Sequence, residues 1–254
     1  MYNKMTLSQS LKMALTAIVL LFGACSKEQP KQVKLDSGLK TEHSLILDGN
    51  CGSARVRIRQ KMATHGETPD ALFLMGFSYH QEQKYGKAVE WLQKSVHANG
   101  RIYPPAFHFL GWSYLYMGEV LASKKAFDDF LLVNPGEPDS MFALGLLSME
   151  LGDLNHAGEL FAMVSSLAPH DKLMQAKATA RWADVLAEQG NWLEAVSKYE
   201  HSLELNPDLY EAWYRFSQAL KRIGLENESA VALQSFQEAR HRVHPEWQAT
   251  RFPE

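Results

Sequence analysis

The chain has 254 residues, 46% of them hydrophobic and 22% charged, with a formal net charge of −3. This is the make-up of a globular protein, which excludes a disordered, collagen-like or multispan membrane class. A slightly acidic balance also argues against a nucleic-acid partner, which needs a clustered excess of Lys and Arg.

In chain order, residues 1–24 read as a targeting segment. Lys4 and Lys12 precede the apolar run from Ala14 to Ala24, followed by Cys25. A basic start, a short apolar stretch and small residues before a break form a secretory signal peptide. The run falls short of the roughly 20 apolar residues that span a bilayer comfortably. Gly23 and Ala24 directly before Cys25 resemble the lipobox of bacterial lipoproteins, with Phe22 where that motif prefers Leu. The resemblance implies cleavage before Cys25 and its lipidation. Ser26 after it then implies sorting to the outer membrane, facing the periplasm. The alternative is an uncleaved inner-membrane signal anchor, and both place the rest of the chain outside the cytoplasm. With Cys25 acylated, Cys51 stands alone, so no intramolecular disulfide is expected.

Residues 25–48, polar and Lys-rich, are expected to form a flexible tether holding the rest near the bilayer. Val56, Ile58 and Met62 predict a helix within 49–68 that packs on the helical array beginning at residue 69. Thr68-Pro69 then opens a helix, with proline at a permitted first-turn position.

From there the sequence repeats. Pro135 and Pro169 are 34 residues apart, and Pro207 comes after a four-residue insertion around His170 to Gln175. Five units result: 69–102, 104–137, 138–171, 176–209 and 210–243. At the eighth position stand Gly76, Gly111, Gly145, Ala183 and Ser217, and at the twentieth Ala88, Ser123, Ala157, Ala195 and Ser229. All are small, as two closely approaching helices require. Position 24 is large: Leu92, Phe127, Phe161, Tyr199 and Leu233. A turn is expected at Gln83, Gly118, Gly152, Gly190 and Gly224, each unit being two antiparallel helices.

This pattern resembles the tetratricopeptide repeat, a helix–turn–helix unit with a period of 34 residues. The resemblance implies an all-α fold, an α-solenoid of about five helical hairpins in a right-handed superhelix. It also implies that the first helix of each unit lines a concave groove. The groove positions of units one to three hold Phe73, Phe77, His80, His108, Trp112, Tyr116, Phe142, Leu146 and Met149. In units four and five they hold Lys177, Asp184, Glu188, Glu211, Tyr214, Gln218, Lys221 and Arg222, with Arg181 and Arg215 beside them. An apolar surface with no packing duty reads as a partner site. The expected partner is another protein or peptide with an apolar segment and flanking charges. The competing reading covers some of these aromatics with the helix over 50–66 or by tight curvature of the array. Lys177 and Arg181 also resemble the carboxylate clamp of chaperone-binding members, but the earlier clamp positions hold His108, Trp112, Phe142 and Leu146, so the clamp is incomplete.

Residues 244–254 form a tail too short for a capping helix, and Trp247 and Phe252 are expected to fold back over the last unit. Glu238, His241 and His244 on the last helix diverge around its axis and make a poor metal site. There is no C-x-x-C, G-x-S-x-G, H-E-x-x-H or Gly-rich phosphate loop. The sequence therefore predicts a non-enzyme with no cofactor and no metal: a membrane-anchored scaffold that supports assembly of a cell-envelope complex. The alternatives are an accessory subunit binding a small ligand or metal, and a non-catalytic subunit of an enzyme complex.

Overall fold

The computed structural model describes residues 35–98, 103–167 and 170–246. The signal peptide over 1–24, Cys25, Pro169, Trp247 and Phe252 lie outside the described residues. Among those described, twelve α-helices and no strand appear. Ten form five hairpins: α3 (Pro69–Gln81) with α4 (Tyr85–His97), α5 (Pro104–Tyr116) with α6 (Val120–Val133), α7 (Pro138–Glu150) with α8 (Leu154–Leu167), α9 (Lys172–Glu188) with α10 (Trp192–Leu205), and α11 (Tyr210–Arg222) with α12 (Glu226–Val243).

Local chemistry sets the ends. The Thr68 hydroxyl accepts from the Ala71 amide at 3.2 Å, the Glu137 carboxylate from Ser140 at 2.7 Å and Asp171 from Met174 at 2.9 Å. Each cap satisfies an amide that the first helical turn leaves unpaired. Four hairpins turn on a glycine at φ of 76–83°, a left-handed conformation that suits glycine. The first turns instead on Gln83 at φ 58°, a conformation that costs an L-residue roughly 1–2 kcal/mol.

Within a hairpin the helices meet where the sequence is smallest. A Cβ built on Gly76 would lie 2.6 Å from the Leu92 side chain, one on Gly111 2.8 Å from the Phe127 ring, and one on Gly145 2.6 Å from the Phe161 ring. So the position-24 side chain fills the gap left by position 8, and Leu92, Phe127, Phe161 and Tyr199 are sealed. Where position 20 is serine, its hydroxyl donates to the carbonyl of position 8, Ser123 to Gly111 at 2.8 Å and Ser229 to Ser217 at 2.9 Å. Leu233 in the last unit stays 40% exposed, with no further helix over it among the described residues.

Two boundaries differ from the sequence reading. The four residues inserted before unit four lengthen a helix rather than a loop: α9 has 17 residues where α3, α5, α7 and α11 have 13. Asp171 caps this longer helix, and its extra turn is compatible with continuous i to i−4 bonding.

The larger difference is at the start. Residues 37–48, expected in the tether, are not free chain: a 3-10 turn over Ser37–Leu39 leads into α1 (Lys40–Leu47), and α2 (Cys51–His65) comes next. Leu39, Ile46, Cys51, Ala54 and Ile58 are buried in the same core as Leu74, Met75 and Leu92. Counting 34 back from Pro69 puts Gly49, at φ 79°, on the turn position, Ala54 on position 20 and Ile58 on position 24. α1 and α2 thus form a degenerate hairpin in repeat register. Its position 8 carries Glu42, whose fully buried carboxylate receives Arg57 at 2.9 Å and Lys61 at 2.7 Å, both from α2. A charge sealed this way persists only when paired, and the two cations supply the pairing.

Candidate functional site

The first helices form the inner wall of the array. α3 touches α1 and α5, and α9 touches both α7 and α11, whereas no two second helices come as close. Side chains facing inward from α3, α5, α7, α9 and α11 therefore share one curved surface.

At the N-terminal end that surface is filled. Phe73 and Phe77 are 7% and 4% exposed. They stack on each other at 5.7 Å, with His43 of α1 at 5.9 Å and Phe109 of α5 at 4.6 Å from the Phe77 ring, and Tyr103 at 5.5 Å from Phe73. This corrects the expectation that they line an open groove. They are core: His43 of α1 packs on Phe77, and Phe73 and Phe77 share one buried cluster with Ile46 of α1 and Ala54 and Ile58 of α2. His80 is half-buried, its Nδ1 2.9 Å from the Ser113 hydroxyl. Burial, with a smaller contribution from His108, pushes its pKa down to about 4, so the ring is neutral at ordinary pH.

The middle of the wall is open. Tyr116 is 56% exposed, stacked on Tyr85 at 4.8 Å and on Trp112 at 5.8 Å. Trp112 packs edge-on to Phe127 and donates from its indole nitrogen to Asp139 at 3.0 Å. His108 sets Nδ1 2.8 Å from the Ser140 hydroxyl and Nε2 3.4 Å from Asp139. Burial lowers the His108 pKa, against the opposing pull of Glu137 and Asp139, and burial likewise raises that of Asp139. Phe142, Leu146 and Met149 of α7 lie half-buried beside Phe161 and Val185. Of the groove-position side chains here Tyr116 is exposed, and the others are half-buried.

At the C-terminal end the wall is charged and built around a buried acid. Asp184 is 7% exposed, so it is not the groove-facing charge the sequence suggested. Tyr199 donates to its Oδ1 at 2.6 Å, while Arg181 at 3.1 Å and Arg215 at 2.7 Å share its Oδ2. Burial and the neighbouring Asp184 push the Tyr199 phenol far up, so it stays a donor. The two guanidinium groups are thereby fixed beside a cleft of about 420 Å³. Its lining also includes Phe142, Lys177, Ala180, Leu209, Glu211 and Ala212. Arg222 is not brought to this cleft; its guanidinium lies over the Trp192 ring at 5.6 Å. Asp208, Leu209 and Tyr210, which the groove positions did not include, enter because the link between units four and five folds against α9. Their one sequence signal is position: they come after Pro207, where a unit ends and the next first helix must begin.

Cys51 is buried with its thiol pushed up by that burial, which makes it a packed side chain rather than a reactive one. Among the described residues no group of His, Cys, Asp or Glu is assembled to hold a metal ion, and no helix is long and apolar enough to cross a membrane.

Models of the tetratricopeptide repeat match residues 69–100 and 110–171. A comparison with curated proteins gives no match. Among solved structures, a crystal structure of MamA is 16% identical with a TM-score of 0.61, covering 74% of this chain and 100% of that one. The C-terminal part of a repeat-containing protein from Cytophaga hutchinsonii is 13% identical with a TM-score of 0.64, covering 82% and 81%. YrrB, described as a repeat protein with an unusual peptide-binding site, is 15% identical with a TM-score of 0.60, covering 75% and 97%. At these identities the likeness is one of fold. The chain carries tetratricopeptide repeats in an all-α solenoid.

Proposed function

We propose that this chain is a membrane-anchored scaffold that binds another protein along the inner wall of its repeats and supports assembly of a cell-envelope complex. The observation that carries the reading is the open middle of the wall. Tyr116 stands exposed there, and Trp112, Phe142, Leu146 and Met149 around it are only partly buried. Contiguous exposed apolar surface rimmed by polar groups suits a protein partner. YrrB, with its peptide-binding site, lends the same kind of support. Anchoring to the outer membrane, facing the periplasm, rests on Lys4, Lys12, the apolar run and the Gly23-Ala24-Cys25-Ser26 sequence.

The groove is tested by joint replacement of Tyr116→Ala and Met149→Ala. Capture of envelope proteins by the tagged chain is expected to fall at least about tenfold, the loss of two anchor side chains, with helical circular dichroism unchanged. Undiminished capture by this variant rules the wall out as the partner site. The anchor is tested separately by metabolic palmitate labelling, which Cys25→Ser is expected to abolish; labelling that survives the change removes the lipid anchor from the proposal.

A further inference from the structure

Charge is divided unevenly along the chain. Residues 26–65 carry 8 basic and 4 acidic side chains, and residues 66–254 carry 16 basic and 25 acidic, so +4 stands against −9. The positive part contains the α1–α2 hairpin, the first layer of the array. α1 and α2 pack on each other and on α3, and Lys40, Leu47, Val56, Arg57 and Arg59 on them stay exposed. The sealed Glu42 takes Arg57 and Lys61 together, so that cluster keeps one positive charge. Arg55 is held by Glu82, which Lys84 also reaches. Lys40 and Arg59 form no ion pair among the described residues. Two exposed carboxylates, Asp36 before α1 and Asp48 at the hairpin turn, offset part of this, and residues 35–65 keep a net charge of +2.

Nine residues, Ser26 to Lys34, separate Cys25 from Leu35, where the described residues begin. Fully extended they reach no more than ~30 Å, so an acyl chain on Cys25 would keep the hairpin beside the bilayer. The same nine add Lys27, Lys31 and Lys34 against Glu28. Lys and Arg within a Debye length of anionic headgroups, about 8 Å at physiological salt, are drawn to them. Leu47 and Val56 supply exposed apolar tips of the kind that enter the headgroup boundary. The acidic remainder of the chain is repelled by that surface, so both halves of the charge asymmetry favour one orientation. We infer that the α1–α2 hairpin is a docking surface for anionic phospholipid headgroups, standing the array on the membrane by its first layer with the later units held away. An acidic protein could meet the same cations, but the anchor places lipid beside them at a high effective concentration. The inner wall is left free for its partner.

The inference rests on the proposed anchor at Cys25, and its test separates the two. Protein purified from membranes with its own lipid is reconstituted in vesicles of phosphatidylcholine, or of phosphatidylcholine and phosphatidylglycerol in equal parts. A bimane on Val56→Cys reads contact with lipids that carry a nitroxide headgroup; Cys51 is buried and does not compete for the label. A second bimane, on the exposed Val231→Cys of α12, reports the far end. Quenching at Val56→Cys should be several-fold stronger where phosphatidylglycerol is present, and absent at Val231→Cys in either bilayer. Lys40→Gln with Arg59→Gln, both exposed and outside the Glu42 cluster, should lower the ratio of docked to undocked protein roughly tenfold. Salt that shortens the Debye length to about 3 Å should undock it as well. Equal quenching in the two bilayers, quenching at Val231→Cys, or a double change without effect would each overturn the inference. So would a double variant that docks as before but captures less protein, since that gives the face to an acidic protein. Protein found to carry no acyl chain removes the anchor alone: mixed with preformed vesicles, its Val56→Cys label should still be quenched only where phosphatidylglycerol is present.

Discussion

The two ends of the inner wall are built from the same helical positions and have opposite fates. At the N-terminal end, position 9 is Phe77, and it lies sealed under His43 of α1 and Phe109 of α5. At the C-terminal end, position 9 of unit four is Asp184, also buried, but it holds Arg181 and Arg215 at the edge of an open cleft. An inward-facing aromatic is used up by packing when a neighbour can reach it. An inward-facing acid instead recruits cations, whose remaining donors stay available. Position in the repeat says which way a side chain points, and only its neighbours decide whether that direction leads to solvent.

The largest effect that would break this contrast is at Phe77. As a core residue with 4% exposure, its change to Ala leaves a cavity where two phenyl rings and an imidazole now meet. Phe77→Ala should cost about 3–5 kcal/mol of stability, seen as a lowered urea midpoint, with partner capture by the still-folded fraction unchanged. A variant with wild-type stability and lost capture would turn this end of the wall back into a binding surface.

Much of the fold is legible because the repeat forces it. The small residues at positions 8 and 20 announce close helix approach, and Gly111 against Phe127 shows why no larger residue would do. α1 is hidden in the sequence because Glu42 occupies the position where every other unit has Gly, Ala or Ser, and its segment is rich in polar residues. The pairing that makes a buried Glu42 tolerable comes from Arg57 and Lys61 on the next helix, a relation invisible without coordinates. Gly49, Ala54 and Ile58 nonetheless carry the register. The site is legible in composition, aromatic in its first half and charged in its second. It is not legible in exposure, since Phe73, Phe77 and Asp184 depend on contacts from other helices.

The smallest expected effect lies where the sealed and open parts of the wall meet. His80 packs between Tyr85, Phe109 and Tyr116 with its Nδ1 on Ser113. Its folded pKa of about 4 lies below the ordinary 6.5, so in the window between them the unfolded chain binds a proton that the folded one refuses. Stability must therefore fall as pH drops from 6.5 towards 4, and the loss is complete once the folded ring also titrates. Glu42 and Glu82 are both held below the ordinary carboxylate value, so their stabilising contributions are lost only below about pH 4.5 and leave the upper part of the window clear. Asp139, pushed up by burial, acts in the opposite sense and offsets part of the same-signed contribution of its neighbour His108. That makes His80 the cleaner probe. Between pH 7 and pH 5 its share should be about 1 kcal/mol once partial solvent screening is allowed for, or a shift of about 2–4 °C in Tm. His80→Gln keeps a polar group near Ser113 and carries no titrating proton, so its Tm should fall less than that of the wild type over the same interval. Identical pH profiles would mean that the ring is reached by water in solution, and that the sealed part of the wall ends before α3 does.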